Sequence, residues 1–130
     1  MNTFERIQNI AKSLKIPAYP NSYTGKDSAR PERWITYNFA ADNGALYGDD
    51  APNAVVHSIQ VHLFMPANKN FFAIKNSIRN ALFEDGFTYP SIPLNTVDEV
   101  TTANSGTHKL RHIVFECETE DEDFYEIEED

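Results

Sequence analysis

This chain has one cysteine, Cys117, in 130 residues. No internal disulfide can form, which excludes a disulfide-stapled secreted scaffold and fits a reducing compartment. No apolar run of about 18 residues is present, so no membrane-spanning helix is encoded. The opening residues Met1-Asn2-Thr3-Phe4-Glu5-Arg6 lack the apolar core of a secretion signal, and residence in a cytoplasm is expected. The five glycines are scattered singly, which excludes a dinucleotide fingerprint and a Walker loop. No Gly-x-Ser-x-Gly elbow or lysine dyad occurs. An enzyme is therefore not expected, and no catalytic, cofactor-binding or metal-ligating residue is assigned.

What is present suits a globular domain: 41% hydrophobic and 12% aromatic residues, enough for one real core. The net charge of −9 is unevenly placed. Residues 1–115 carry all 11 Lys and Arg against 10 acids, a net +1, while residues 116–130 carry the other 10 acids and no base. The pattern is a near-neutral body, residues 1–118, followed by an acidic C-terminal tail, residues 119–130. Specific nucleic-acid binding is not expected, because phosphate neutralisation requires a clustered basic surface. In the tail, Phe124, Tyr125 and Ile127 interrupt the charges, as in a segment that docks on assembly.

Residues 54–87 are the most informative stretch. Val55, His57, Ile59, Val61, Leu63 and Met65 alternate with Val56, Ser58, Gln60, His62 and Phe64, the pattern of a strand in an antiparallel sheet. Pro66 and a cap at Asn68 lead into a helix with the stripe Phe71, Ile74, Ile78, Ala81 and Leu82. Gly86 closes that helix and Phe87 folds back on it. A first helix is predicted over residues 2–15, capped by Asn2 with Glu5 three residues on, along the stripe Phe4, Ile7, Ala11 and Leu14. Residues 17–32 are irregular, with an extended Pro17-Ala18-Tyr19-Pro20. Residues 33–40 form a strand, and 41–53 a loop or long hairpin connection anchored by Leu46 and Tyr47. Phe87-Thr88-Tyr89 opens a short strand, residues 94–102 fit either a strand or an ordered loop, and 108–118 form the final strand. The fold class is α+β: a mixed, mostly antiparallel sheet of about four to five strands with two main helices packed on it.

Each candidate chemical group has an ordinary reading that suits it better. His57 and His62 point to opposite faces of one strand, and His108 with His112 make at most half a metal site. Asp42, Asn43, Asp49 and Asp50 lack the spacing of a calcium loop. Cys117 falls on the core face, its thiol pKa raised by flanking glutamates, and is inert. The residue types that dominate interfaces remain: Tyr19, Tyr23, Trp34 and Tyr37 in the aromatic stretch, then the loop and the tail. The expected partner contacts are Trp34, Tyr37, Leu46, Tyr47, Asp49, Asp50, Phe124 and Tyr125.

The order of features resembles a known family. It consists of Trp34-Ile35-Thr36-Tyr37-Asn38, then Leu46-Tyr47-Gly48-Asp49-Asp50, then Ile59-Gln60-Val61-His62-Leu63-Phe64 with Pro66. The helix end Ile78-Arg79-Asn80-Ala81-Leu82-Phe83-Glu84-Asp85-Gly86-Phe87 follows, and His108 to Glu116 close it. Over roughly residues 33–118 the chain is similar to the small tail-completion proteins of long-tailed bacteriophages and prophages, either tail terminators or tail-to-head joining proteins. The resemblance implies a ring of identical subunits, commonly a hexamer, at the head-proximal end of the tail. Its partners would be further copies of itself, the tail-tube protein and the head connector, with assembly in the host bacterial cytoplasm and a final place in the virion neck. No cofactor and no catalytic residue are implied. A reading from a different class is an acidic inhibitor that mimics nucleic acid toward a host protein. Confinement of the acids to one terminal segment counts against it.

Overall fold

The computed structural model describes residues 2–48, 51–102 and 106–121. The elements are α1 (Thr3–Ser13), β1 (Ala18–Pro20), a 3-10 turn (Asp27–Ala29), β2 (Trp34–Gly48), β3 (Ala51–Pro66), α2 (Phe72–Glu84), β4 (Ser91–Thr102) and β5 (Gly106–Asp121). They form one five-stranded sheet in the order β1-β2-β3-β5-β4, with both helices on one face. β1 runs parallel to β2, and every other pairing is antiparallel. The fold is the α+β arrangement expected from the sequence.

The central strand shows why. In β3, Ile59, Val61, Leu63 and Met65 are each at most 2% exposed, while Ser58, Gln60, His62 and Phe64 on the opposite face are half-buried. Register continues the pattern sideways: Ile59 pairs with Phe39 and Cys117, Val61 with Tyr37 and Phe115, Leu63 with Ile35 and Ile113. These residues meet Ile7, Ile10 and Ala11 of α1 and Ile78 and Leu82 of α2 in one core.

The helix ends are local chemistry. Asn2 Oδ1 accepts from the Glu5 amide at 2.8 Å, and Asn2 Nδ2 donates to Glu5 Oε1 at 2.9 Å, closing a reciprocal cap. At the C-terminus of α1, Lys15 adopts a left-handed φ of 59°, and the Ile16 amide donates to the Ala11 carbonyl. Gly86 does the same for α2 at φ 105°, with the Phe87 amide donating to the Leu82 carbonyl and the Phe87 ring buried. Asn68 is not the cap of α2. The helix begins later, at Phe72, whose amide is held by Asn70 Oδ1 at 2.9 Å.

Several boundaries differ from the sequence reading. β2 and β3 pair through the stretch read as a loop or hairpin connection, so residues 41–48 and 51–53 are strand, with one irregularity between Phe39 and Ala41. Backbone pairing needs no particular side chain, so turn-forming residues there do not end the ladder once a partner strand is in register. Phe87-Thr88-Tyr89 is not a strand; Thr88 instead bridges to Glu118 through two hydrogen bonds, 2.8 and 2.9 Å. The ambiguous residues 94–102 belong to β4. β5 runs to Asp121, and Thr119, assigned to the tail, is buried in the body.

Candidate functional site

The helix-covered face is filled by the core. Among the described residues, surfaces left to meet another molecule include the opposite sheet face, the β2–β3 hairpin and the β4 edge.

The opposite face carries a row of rings. Trp34 of β2 stacks on Phe64 of β3 at 5.0 Å, and Phe64 stacks on His112 of β5 at 4.5 Å. The register fixes this row, because Trp34, Phe64 and His112 are consecutive cross-strand partners. Residues 21–33 fold over its outer end, where Tyr23 lies 6.3 Å and the Arg30 guanidinium 5.0 Å from the Trp34 ring. Beside the rings runs a polar chain. Asn38 Oδ1 lies 3.2 Å from His62 Nε2, His62 Nδ1 lies 2.8 Å from His112 Nε2, and His112 Nδ1 lies 3.9 Å from Asp98 Oδ2. The chain crosses β2, β3, β5 and β4. Burial lowers the pKa of both imidazoles; His112 lowers His62 further, whereas Asp98 opposes the shift at His112.

This histidine pair was not legible from spacing within one strand. His62 and His112 are 50 residues apart and meet only through the β3–β5 register. As expected, His57 points to the other face, where its Nδ1 lies 3.0 Å from Thr3 Oγ1. Among the described residues no three His, Cys, Asp or Glu side chains come together as a metal cage. Cys117 is buried, and burial pushes its thiol up to about 12. Arg6 opposes that shift and Glu118 adds to it, so burial, not the flanking glutamates, leads.

The expected partner contacts fare differently. Tyr37 is 2% exposed on the helix face, edge-on to Phe4 and with its hydroxyl accepting from Gln8 Nε2 at 2.6 Å. Trp34 is 6% exposed beneath Arg30 and Tyr23. Both side chains are thus largely covered within the protomer, and neither offers the exposed aromatic surface expected of an interface anchor. Leu46 and Tyr47 lie on the β2 arm of the hairpin, where Tyr47 pairs with Pro52. Asp49, Asp50, Phe124 and Tyr125 lie outside the described residues.

Exposed apolar groups occur instead along α2 and the β4 edge. Phe83 and Tyr89 meet edge to face at 5.6 Å while each stays 56% exposed. Leu94 and Val97 of β4 are also exposed. β4 ends the strand order, and Pro93 near its start removes one donor from it, a familiar way to blunt an open edge. The chain matches no family model, and no curated protein matches it.

Proposed function

We propose that this protein is a structural subunit of a bacteriophage or prophage tail, of the tail-completion class. In this reading it closes into a ring at the head-proximal end of the tail, stops tube growth and joins tail to head. It works by shape and self-association, without catalysis. Its partners are further copies of itself, the tail tube and the head connector.

The observation that carries the reading is the unequal pair of flanks on the sheet. One flank is an open twelve-residue edge, β4, with exposed Leu94 and Val97. Toward the other flank, β2 and β3 run on together as a long hairpin. A ring of identical subunits requires two different, complementary surfaces on each subunit. A flat catalytic pocket is not required, and the polar chain through His62 and His112 serves as internal cross-bracing of the sheet.

The test is genetic and visual. Deleting the gene from a phage or prophage that encodes it should give tails of uncontrolled length, or full heads and tails that remain unjoined, in electron micrographs of the lysate. Normal joined virions from the deletion would contradict the proposal.

A further inference from the structure

Basic residues gather at one end of the strands, where β4 also brings Asp98 and Glu99 opposite Leu110 and Lys109. β2 begins, β3 ends and β5 begins at the same end of the sheet, where Trp34 pairs with Phe64 and Pro66 with Leu110. Two clefts of about 620 and 590 Å³ open at that end, and Glu32 and Pro66 line both. Lys15, Arg30, Arg33, Lys69 and Lys109 also line them, with Glu32 the sole acid among the lining residues. These five come from four separate stretches of the chain, so the fold gathers basic residues that the sequence order largely separates. Among the described residues none of the five takes part in an ion pair. Pro66 and Ala67, both half-buried, supply apolar lining beside the cations. At the opposite end of β5 lie Glu116, Glu118, Glu120 and Asp121, followed in sequence by Glu122, Asp123, Phe124, Tyr125, Glu126 and Ile127.

We propose that this basic end receives the acidic segment 122–130 of a second copy of the chain. The inference rests on the self-associating reading above and names one of its contacts. Carboxylates would meet the unpaired lysines and arginines, and Phe124, Tyr125 or Ile127 would cover the apolar lining. The segment cannot occupy the basic end of its own subunit. From Lys109 to Asp121 the strand spans twelve residues, about 40 Å at the rise of a β-strand. The nine residues 122–130 reach at most about 32 Å when fully extended, and Phe124 to Ile127 fall far short. The contact is therefore head to tail, the heterologous kind from which rings are built.

The test uses a fluorescein-labelled peptide of residues 119–130, titrated into the full chain at low salt and followed by fluorescence anisotropy. The comparison protein carries Lys69→Glu and Lys109→Glu, both exposed positions, with retention of fold checked by circular dichroism. Saturable binding is expected, weakened on the order of tenfold by the two reversals and lost as salt screens the charges. Equal binding to both proteins, no binding, or tighter binding of a short DNA duplex at the same residues would overturn the inference. The two readings separate cleanly. Absence of peptide binding by a chain that still forms closed oligomers removes this contact and leaves the ring. Cleft-dependent binding by a chain that stays monomeric at every concentration keeps the contact and removes the ring.

Discussion

Cys117 and the histidine pair show how the sheet sets the chemistry of single residues. Cys117 faces the core between β3 and the helices, with its thiol raised to about 12 by burial. At neutral pH it stays protonated. The native protein should therefore react with a thiol reagent such as DTNB far more slowly than the same protein in denaturant; equal rates would show the thiol to be accessible. His62 and His112 have folded-state pKa values below the usual 6.5. Between the lowered values and 6.5 the unfolded chain binds more protons than the folded one, so stability falls as pH drops through that window and is full above it. Thermal melting should show this loss from pH 7 to 5, and the double substitution His62→Gln with His112→Gln should flatten it. An unchanged slope in the double variant would place the effect elsewhere. Arg6 is a third case. It bonds Asp85 Oδ2, the Asp85 carbonyl and Thr119 Oγ1, and lies over the Phe87 ring at 4.3 Å. One side chain thus ties α1 to the end of α2 and to β5, which no local pattern announces.

At the scale of elements, the periods in the sequence carried most of the architecture. β3 was legible because its apolar residues alternate over ten positions with one face buried, and α2 because Ile78, Leu82 and Gly86 sit at helical spacing and a stop. Gly86 is where local conformation matters most. At φ 105° an L side chain is strained, and a Cβ there would lie 3.4 Å from the Arg6 guanidinium. Gly86→Ala should cost about 1–2 kcal/mol in denaturant unfolding; a neutral result would mean that the turn can relax. β4 was harder to read, since an edge strand lacks the clean alternation of a buried one and carries Pro93. The hairpin was hidden by Asp, Asn and Gly residues that ordinarily mark loops. The exposed surfaces were the least legible. Trp34 and Tyr37 have the composition of interface residues, but composition does not say which molecule covers them, and here it is their own subunit. The polar chain and the basic end both depend on register between strands distant in sequence, and no spacing along the chain encodes that.

The whole molecule is polarised. It has one sheet, helices on one side, an open edge on one flank and a long hairpin toward the other, with a basic group at one end of the strands and Glu116, Glu118 and Glu120 toward the other. The proposed stacking on the end of a tube would use this asymmetry, since it requires a fixed polarity. The proposed head-to-tail contact would depend on ionic strength, because exposed charges are largely screened beyond about 10 Å at 0.1 M salt. Light scattering over a wide range of protein concentration tests the proposed self-association into a closed ring. The subunit mass is 14.8 kDa. A closed ring should give one discrete multiple of that mass, holding constant across the range above its assembly threshold. A mass of one subunit at every concentration, or one that rises without limit, would contradict it.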